Sequence, residues 1–139
     1  MKYSKFNHEG YYDPTAYQAL TNIEEEKRKA RFRPIVYVCS PYAGDTEKNT
    51  ANVRRYCRFV VDKGSIPLAP HLFFPQFMDD KNGQERELAM FMNMALMSKC
   101  AEVWVFGEHV SRGMAAEIRN AEEKQRPVRY FTTECEEIH

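Results

Sequence analysis

From Pro34 onward the chain alternates short apolar runs with longer stretches of helical periodicity, and this order restricts the fold more than any other feature. The apolar runs are Ile35 to Cys39, Ile66 to Ala69, Val103 to Phe106 and Val128 to Phe131. Between them lie Thr46 to Lys63, Gln84 to Lys99 and Ser111 to Lys124, each long enough to be a crossover helix. Strands that alternate with helices form a parallel sheet covered on both faces. Such sheets bind ligands where loops leave the carboxyl ends of their strands. The expected architecture is therefore α/β, a flavodoxin-like or Rossmann-like three-layer sandwich on a parallel sheet of four or five strands.

Residues 1–33 differ in composition, being polar and charged. Tyr11-Tyr12-Asp13-Pro14 reads as a helix start, with Asp13 as N-cap and Pro14 at the first helical position. Tyr17, Leu20 and Ile23 form a short apolar stripe, and the run Glu24 to Arg31 is acidic first and basic last, as a helix dipole prefers. The expected organisation is an N-terminal helical extension, 1–33, before a single domain, 34–139. A length of 139 residues suits one good core.

Twenty basic and twenty acidic residues balance, so no field favours a nucleic-acid polymer or an anionic membrane. No apolar stretch approaches a bilayer span, and Met1 to Lys5 leads into polar sequence, which reads as a cytoplasmic chain. Cys39, Cys57, Cys100 and Cys135 show no C-x-x-C spacing and no nearby His. Three of them, Cys39, Cys57 and Cys100, sit in apolar patterns as small buried hydrophobes. Neither a metal centre nor a cofactor is expected.

One carboxylate is out of place. On the helix from Ser111, Met114, Ile118 and Ala121 mark the core face, and the helical repeat puts Glu117 on the same stripe. Its neighbours at three and four positions are Gly113, Met114, Asn120 and Ala121, none of them a cation. Glu117 either reaches back to water from the rim of that face or is a carboxylate held at the sheet edge for chemistry, as nucleophile or general base. The loop Ser40-Pro41-Tyr42-Ala43-Gly44-Asp45 joins the first strand to its helix. Its small residues and the helix start suit an anion, though a tight turn capped by Asp45 also explains Gly44 and Asp45. It is neither a Walker loop nor G-x-G-x-x-G.

Ser40-Pro41-Tyr42-Ala43-Gly44, Ala69-Pro70-His71, Glu102-Val103-Trp104-Val105-Phe106-Gly107 and Ser111-x-Gly113-Met114-x-x-Glu117 together resemble the nucleoside 2-deoxyribosyltransferase superfamily, and within it the small single-domain DUF4406 branch. The resemblance covers about residues 34–131. It implies that Glu117 attacks the anomeric carbon of a 2-deoxyribosyl group, releasing the base and leaving a glycosyl ester. It also implies that Ser111 and Gly113 bind a 5′-phosphate, and that Ser40 and Gly44 belong to the loop closing over sugar and phosphate. Pro41, Tyr42, Asp45 and Met114 complete the substrate-side set.

Counting back from Glu117, the superfamily's second acid falls on Asn93, an amide that can bond a sugar but cannot donate a catalytic proton. Asn93 reads as lying beside a stripe of Leu88, Met92, Ala95 and Leu96, either in the site or facing water. His71 is a substitute acid, with Asp79 and Asp80 as further candidates. Tyr42 stands where some relatives have a base for phosphate, and its ring could stack on a nucleobase. Phe73, Phe74, Pro75 and Phe77 either join that sandwich or pack as loop and dimer core. The resemblance implies a nucleoside or nucleotide as small-molecule partner and a homodimer or larger homo-oligomer. Two functions follow: cleavage or transfer of an N-glycosidic bond, or non-catalytic binding of a nucleotide or ADP-ribose-like ligand on the same fold.

Overall fold

The computed structural model describes residues 14–30 and 32–139. Tyr11, Tyr12, Asp13 and Arg31 lie outside the described residues. Pro14–Ala30 form helix α1, with proline at its first position, where its missing N–H costs nothing. The chain from Pro34 forms a separate unit: β1 Ile35–Cys39, α2 Thr46–Asp62, β2 Ile66–Leu68, α3 Gly83–Met97, β3 Glu102–Phe106, α4 Arg112–Glu123, β4 Val128–Phe131 and β5 Glu137–Ile138. Two 3-10 turns, Pro70–Leu72 and Phe74–Gln76, occupy the long connection after β2. No helix among the described residues is long and apolar enough to cross a membrane.

The sheet order is β2-β1-β3-β4-β5. The first four strands are parallel, and β5 pairs antiparallel with β4 through Tyr130 opposite Ile138 and Phe131 opposite Glu137. The α/β sandwich anticipated from the alternation is therefore present with five strands, and it departs from the expected all-parallel sheet only in β5. Two-residue β5 carries no apolar alternation, and it is held by a side chain: Arg129 grips Glu137 at 2.8 and 2.6 Å while its guanidinium lies 4.7 Å from the Trp104 ring centroid.

The period of two along each strand builds both cores. Val36, Val38, Trp104, Phe106 and Phe131 point to one face, where they pack with Val53, Tyr56 and Val60 of α2. Tyr37, Cys39, Val103 and Val105 point to the other, under Met97 of α3 and Met114, Ile118 and Ala121 of α4. The α2 side is an aromatic stack, with Phe106 4.4 Å from Tyr56 and 5.0 Å from Phe131. Cys39 and Cys100 are buried thiols, whereas Cys57 is only half-buried against the α2 core.

The expected Leu88, Met92, Ala95 and Leu96 stripe of α3 is not the packed one. Asn93 and Met97 are the buried positions, Leu88 and Ala95 are exposed, and Phe91 is 72% exposed. The helix is apolar nearly all round, so periodicity alone does not select a face.

After β1 the chain runs through α2 to β2 on one side, then through α3 across β1 to β3 on the other. The connections thus diverge between the carboxyl ends of β1 and β3, which opens a crevice there.

Two phenylalanines test this packing. Phe106→Ala, at a fully buried position, is expected to cost about 3–5 kcal/mol in urea unfolding, and Phe91→Ala under about 0.5 kcal/mol. Comparable losses for the two would contradict the assigned faces.

Candidate active site

The crevice is a cavity of about 650 Å³, within the size range of small-molecule sites. Its wall includes Ser40, Tyr42 and Ala43 from the β1 loop, and Pro70, His71, Phe74, Pro75, Met78, Asp79 and Asp80 from the connection after β2. Glu85, Arg86, Ala89, Met90 and Asn93 come from α3, and Ser111, Arg112, Gly113, Met114, Ala116 and Glu117 from the α4 end. Of the residues singled out from sequence, Ser40, Tyr42, His71, Asn93, Ser111, Gly113, Met114 and Glu117 meet here. Pro41, Gly44 and Asp45 lie outside the wall. Gly44 adopts φ +96°, which suits glycine, and the Asp45 carboxylate caps α2 by accepting from the Lys48 N–H at 3.1 Å. For those two the tight-turn explanation accounts for the residue.

The β1 loop is pinned from α2. Asn49 Nδ2 donates to the carbonyls of Tyr42 at 2.9 Å and Ala43 at 3.1 Å, a positioning role that periodicity does not reveal. At the other helix start, Ser111 caps α4 by accepting from the Met114 N–H at 3.2 Å. The serine oxygen is thus committed within the chain, while its hydroxyl proton is available to an acceptor in the cavity.

Glu117 is 2% exposed, on the α4 stripe that packs over β1. Burial raises its carboxyl from about 4.5 to about 7, and the Tyr37 hydroxyl holds it back in part. The same proximity raises Tyr37 and Cys39, for both of which burial is the larger cause. Tyr37 and Glu117 are close enough to interact but fall short of hydrogen-bond geometry, since Tyr37 Oη and Glu117 Oε2 are both buried without a partner. Ser40 Oγ and Asn93 Oδ1 are in the same condition. Buried polar atoms in folded proteins are nearly always satisfied. Among the described residues, three side chains on the wall of one cavity carry such atoms, and a fourth adjoins Glu117, a concentration that points to a polar ligand.

Asn93, 5% exposed, faces this cavity and not water. His71 stacks on Tyr42, with centroids 5.0 Å apart. Burial lowers the His71 imidazole below its ordinary range, and the Asp80 charge offsets part of the effect. One face of Tyr42 is therefore already taken by His71. Phe74 and Pro75 line the cavity, whereas Phe73 and Phe77 are mostly exposed. Sequence reading missed Tyr37, hidden in an ordinary strand pattern, and Arg86 and Arg112, two wall cations on helix surfaces.

The family model described as Domain of unknown function (DUF7768) matches residues 34–131. The chain belongs to that family. DUF7768, and not the DUF4406 branch suggested by the motifs, is thus its family, and the matched span takes in the whole cavity wall from Ser40 to Glu117. No protein of curated function matches the sequence. Among solved structures, this DUF7768 member is similar in fold to a 2-deoxyribosyltransferase from the psychrotolerant bacterium Bacillus psychrosaccharolyticus. The TM-score is 0.59 at 15% identity, over 70% of this chain and 72% of that one. At that identity the likeness concerns the fold.

The raised Glu117 carboxyl links the site to stability. Between about 4.5 and about 7 the folded protein holds a proton that the unfolded chain has released, so stability falls as pH rises through this window and levels off above it. The shift corresponds to about 3 kcal/mol. Glu117→Gln removes the titration, so the unfolding free energy of the variant minus that of wild type is expected to grow by about that amount from pH 4 to pH 8, read by urea denaturation. A difference independent of pH would contradict the assignment.

Proposed function

We propose that the protein cleaves or transfers the N-glycosidic bond of a nucleoside or nucleoside 5′-monophosphate, ribo or 2-deoxyribo, with Glu117 as nucleophile. One observation carries this reading: a buried carboxylate, raised toward neutrality, on the wall of a cavity at the switch point of a deoxyribosyltransferase-like fold. In its ionised form Glu117 attacks C1′, and the C1′–N bond breaks with its electron pair passing to the base. Water or an acceptor base then displaces the ester. Tyr37 orients the carboxylate from below. In this reading Ser40 Oγ and Asn93 Oδ1 meet sugar hydroxyls, and a phosphate sits at Ser111 and Gly113, as the motif resemblance implies. Arg86 and Arg112 supply cations for that phosphate, which compensates for Tyr42 at the position that is basic in some relatives. Residues 34–139 are the catalytic domain in this reading and 1–33 its helical extension. A homo-oligomer, as the motif resemblance implies, belongs to this reading.

Chromatography for free base after incubation with ribo- and deoxyribonucleosides and their 5′-monophosphates tests the reading. Glu117→Gln is expected to lower base release by several orders of magnitude while ligand binding persists, and wild-type kcat/KM to rise with pH through about 7 as the carboxyl ionises. Equal turnover by Glu117→Gln would remove the nucleophile. Tight binding with no base released by wild type would make the protein a nucleotide-sensing module.

A further inference from the structure

The reading of Glu117 as nucleophile, on which this inference rests, leaves one proton unassigned. A neutral nucleobase departs as an anion unless an acid protonates it, and a positioned acid contributes about 10²–10⁴-fold to rate. Among its buried side chains the cavity is short of such an acid: Asp79 and Asp80 are exposed, and Asp79 and Glu85 accept from the backbone N–H groups of Lys81 and Asp79. Asn93 presents a buried amide oxygen that accepts and cannot supply a proton to a base. Burial disfavours the protonated His71 imidazole that would act as the acid, with the Asp80 charge offsetting part of the effect. Glu117 has to be ionised to attack, and the neighbouring Tyr37 and Cys39 protons lie outside the cavity wall.

The same wall suits positive charge. Carboxylates of Asp79, Asp80 and Glu85 line it with Glu117, against the two cations Arg86 and Arg112, and the aromatic rings of Tyr42 and Phe74 face the same space. Aromatic faces and carboxylates together attract a cationic ring. The unpartnered, nine-tenths-buried atoms Ser40 Oγ, Asn93 Oδ1 and Glu117 Oε2 independently mark the space as a ligand site.

We propose that the preferred substrates are N-glycosides whose heteroaromatic base is already cationic, such as a pyridinium or an N7-alkylated purine. With these the missing acid is not needed. A Glu117 oxygen forms a bond to C1′ as the C1′–N bond breaks, and the bonding pair returns to the ring nitrogen system, discharging its positive charge, so the base leaves neutral. Water then attacks the ester: its oxygen bonds to C1′, Glu117 leaves as carboxylate, and the released proton passes to solvent.

Matched pairs test this on the full-length protein: 7-methylguanosine against guanosine, nicotinamide riboside against inosine, and their 5′-monophosphates, each corrected for release in buffer. The expected kcat/KM is at least about 100-fold higher for the cationic member, the size of the missing acid's contribution. For nicotinamide riboside, whose pyridinium keeps its charge at every pH, the profile should rise through about 7 and stay flat above, with no acid limb. Asn93→Asp, which adds a carboxyl beside Glu117 among the buried side chains of the wall, should narrow the ratio at least about tenfold by raising turnover of guanosine. Equal cleavage of both members by wild type, lost in Glu117→Gln, would overturn this inference and leave the nucleophile standing. Cleavage of the cationic member that survives Glu117→Gln would overturn the nucleophile instead. Release from neither member would overturn both.

Discussion

The buried carboxylate of Glu117 is the constraint around which the rest of the domain is arranged. A charged group with no cation beside it opposes folding, and the structure tolerates this one by letting its pKa rise to about 7 and by setting Tyr37 next to it. Had α4 served only for packing, an apolar side chain between Met114 and Ala121 would have been more stable. A free-energy cost retained at the wall of a cavity is characteristic of a reactive group whose protonation is tuned by its surroundings.

The fold delivers that carboxylate by simple means. Alternation along β1 and β3 sends Tyr37, Cys39, Val103 and Val105 toward α3 and α4, so α4 must lay its one apolar stripe over them, and Glu117 descends with the stripe. The reversal of connections between β1 and β3 opens the space above. Asn49 holds the β1 loop at its edge, and Ser111 fixes the start of α4. Positioning thus comes from the two helix starts flanking the crevice, each secured by a side chain of its own helix or cap.

Much of this was legible in the amino-acid order. The positions of β1 and β4 follow from short apolar runs, and the helices from Thr46 and Ser111 and the inward stripe of α4 from period and capping, because those two helices carry their apolar residues on one side. Helix α3 has them on nearly every side, which is why Asn93 was placed beside the wrong stripe. Tyr37 looks like any strand aromatic, and its relation to Glu117 exists only after β1 and α4 are stacked. Arg86 and Arg112 resemble solvated helix residues until the connection after β2 folds over to make a wall. Strand β5 depends on the tertiary grip of Arg129 on Glu137 and leaves no pattern of its own.

The arrangement supports a nucleophile whose buried neighbours on the wall, Ser40 and Asn93, are neutral and offer no acidic proton to a leaving base. That division of labour suits attack at an anomeric carbon and makes the leaving group's own chemistry decisive. A covalent glycosyl ester on Glu117 is the central claim. The most direct measurement is peptide mass mapping after acid quench of the protein with a 2-fluoro-substituted nucleoside, which slows breakdown of the ester. The account predicts a sugar-mass increment confined to the peptide holding Glu117, absent in Glu117→Gln. A base released with no increment on any peptide, or an increment on a different residue, would contradict it.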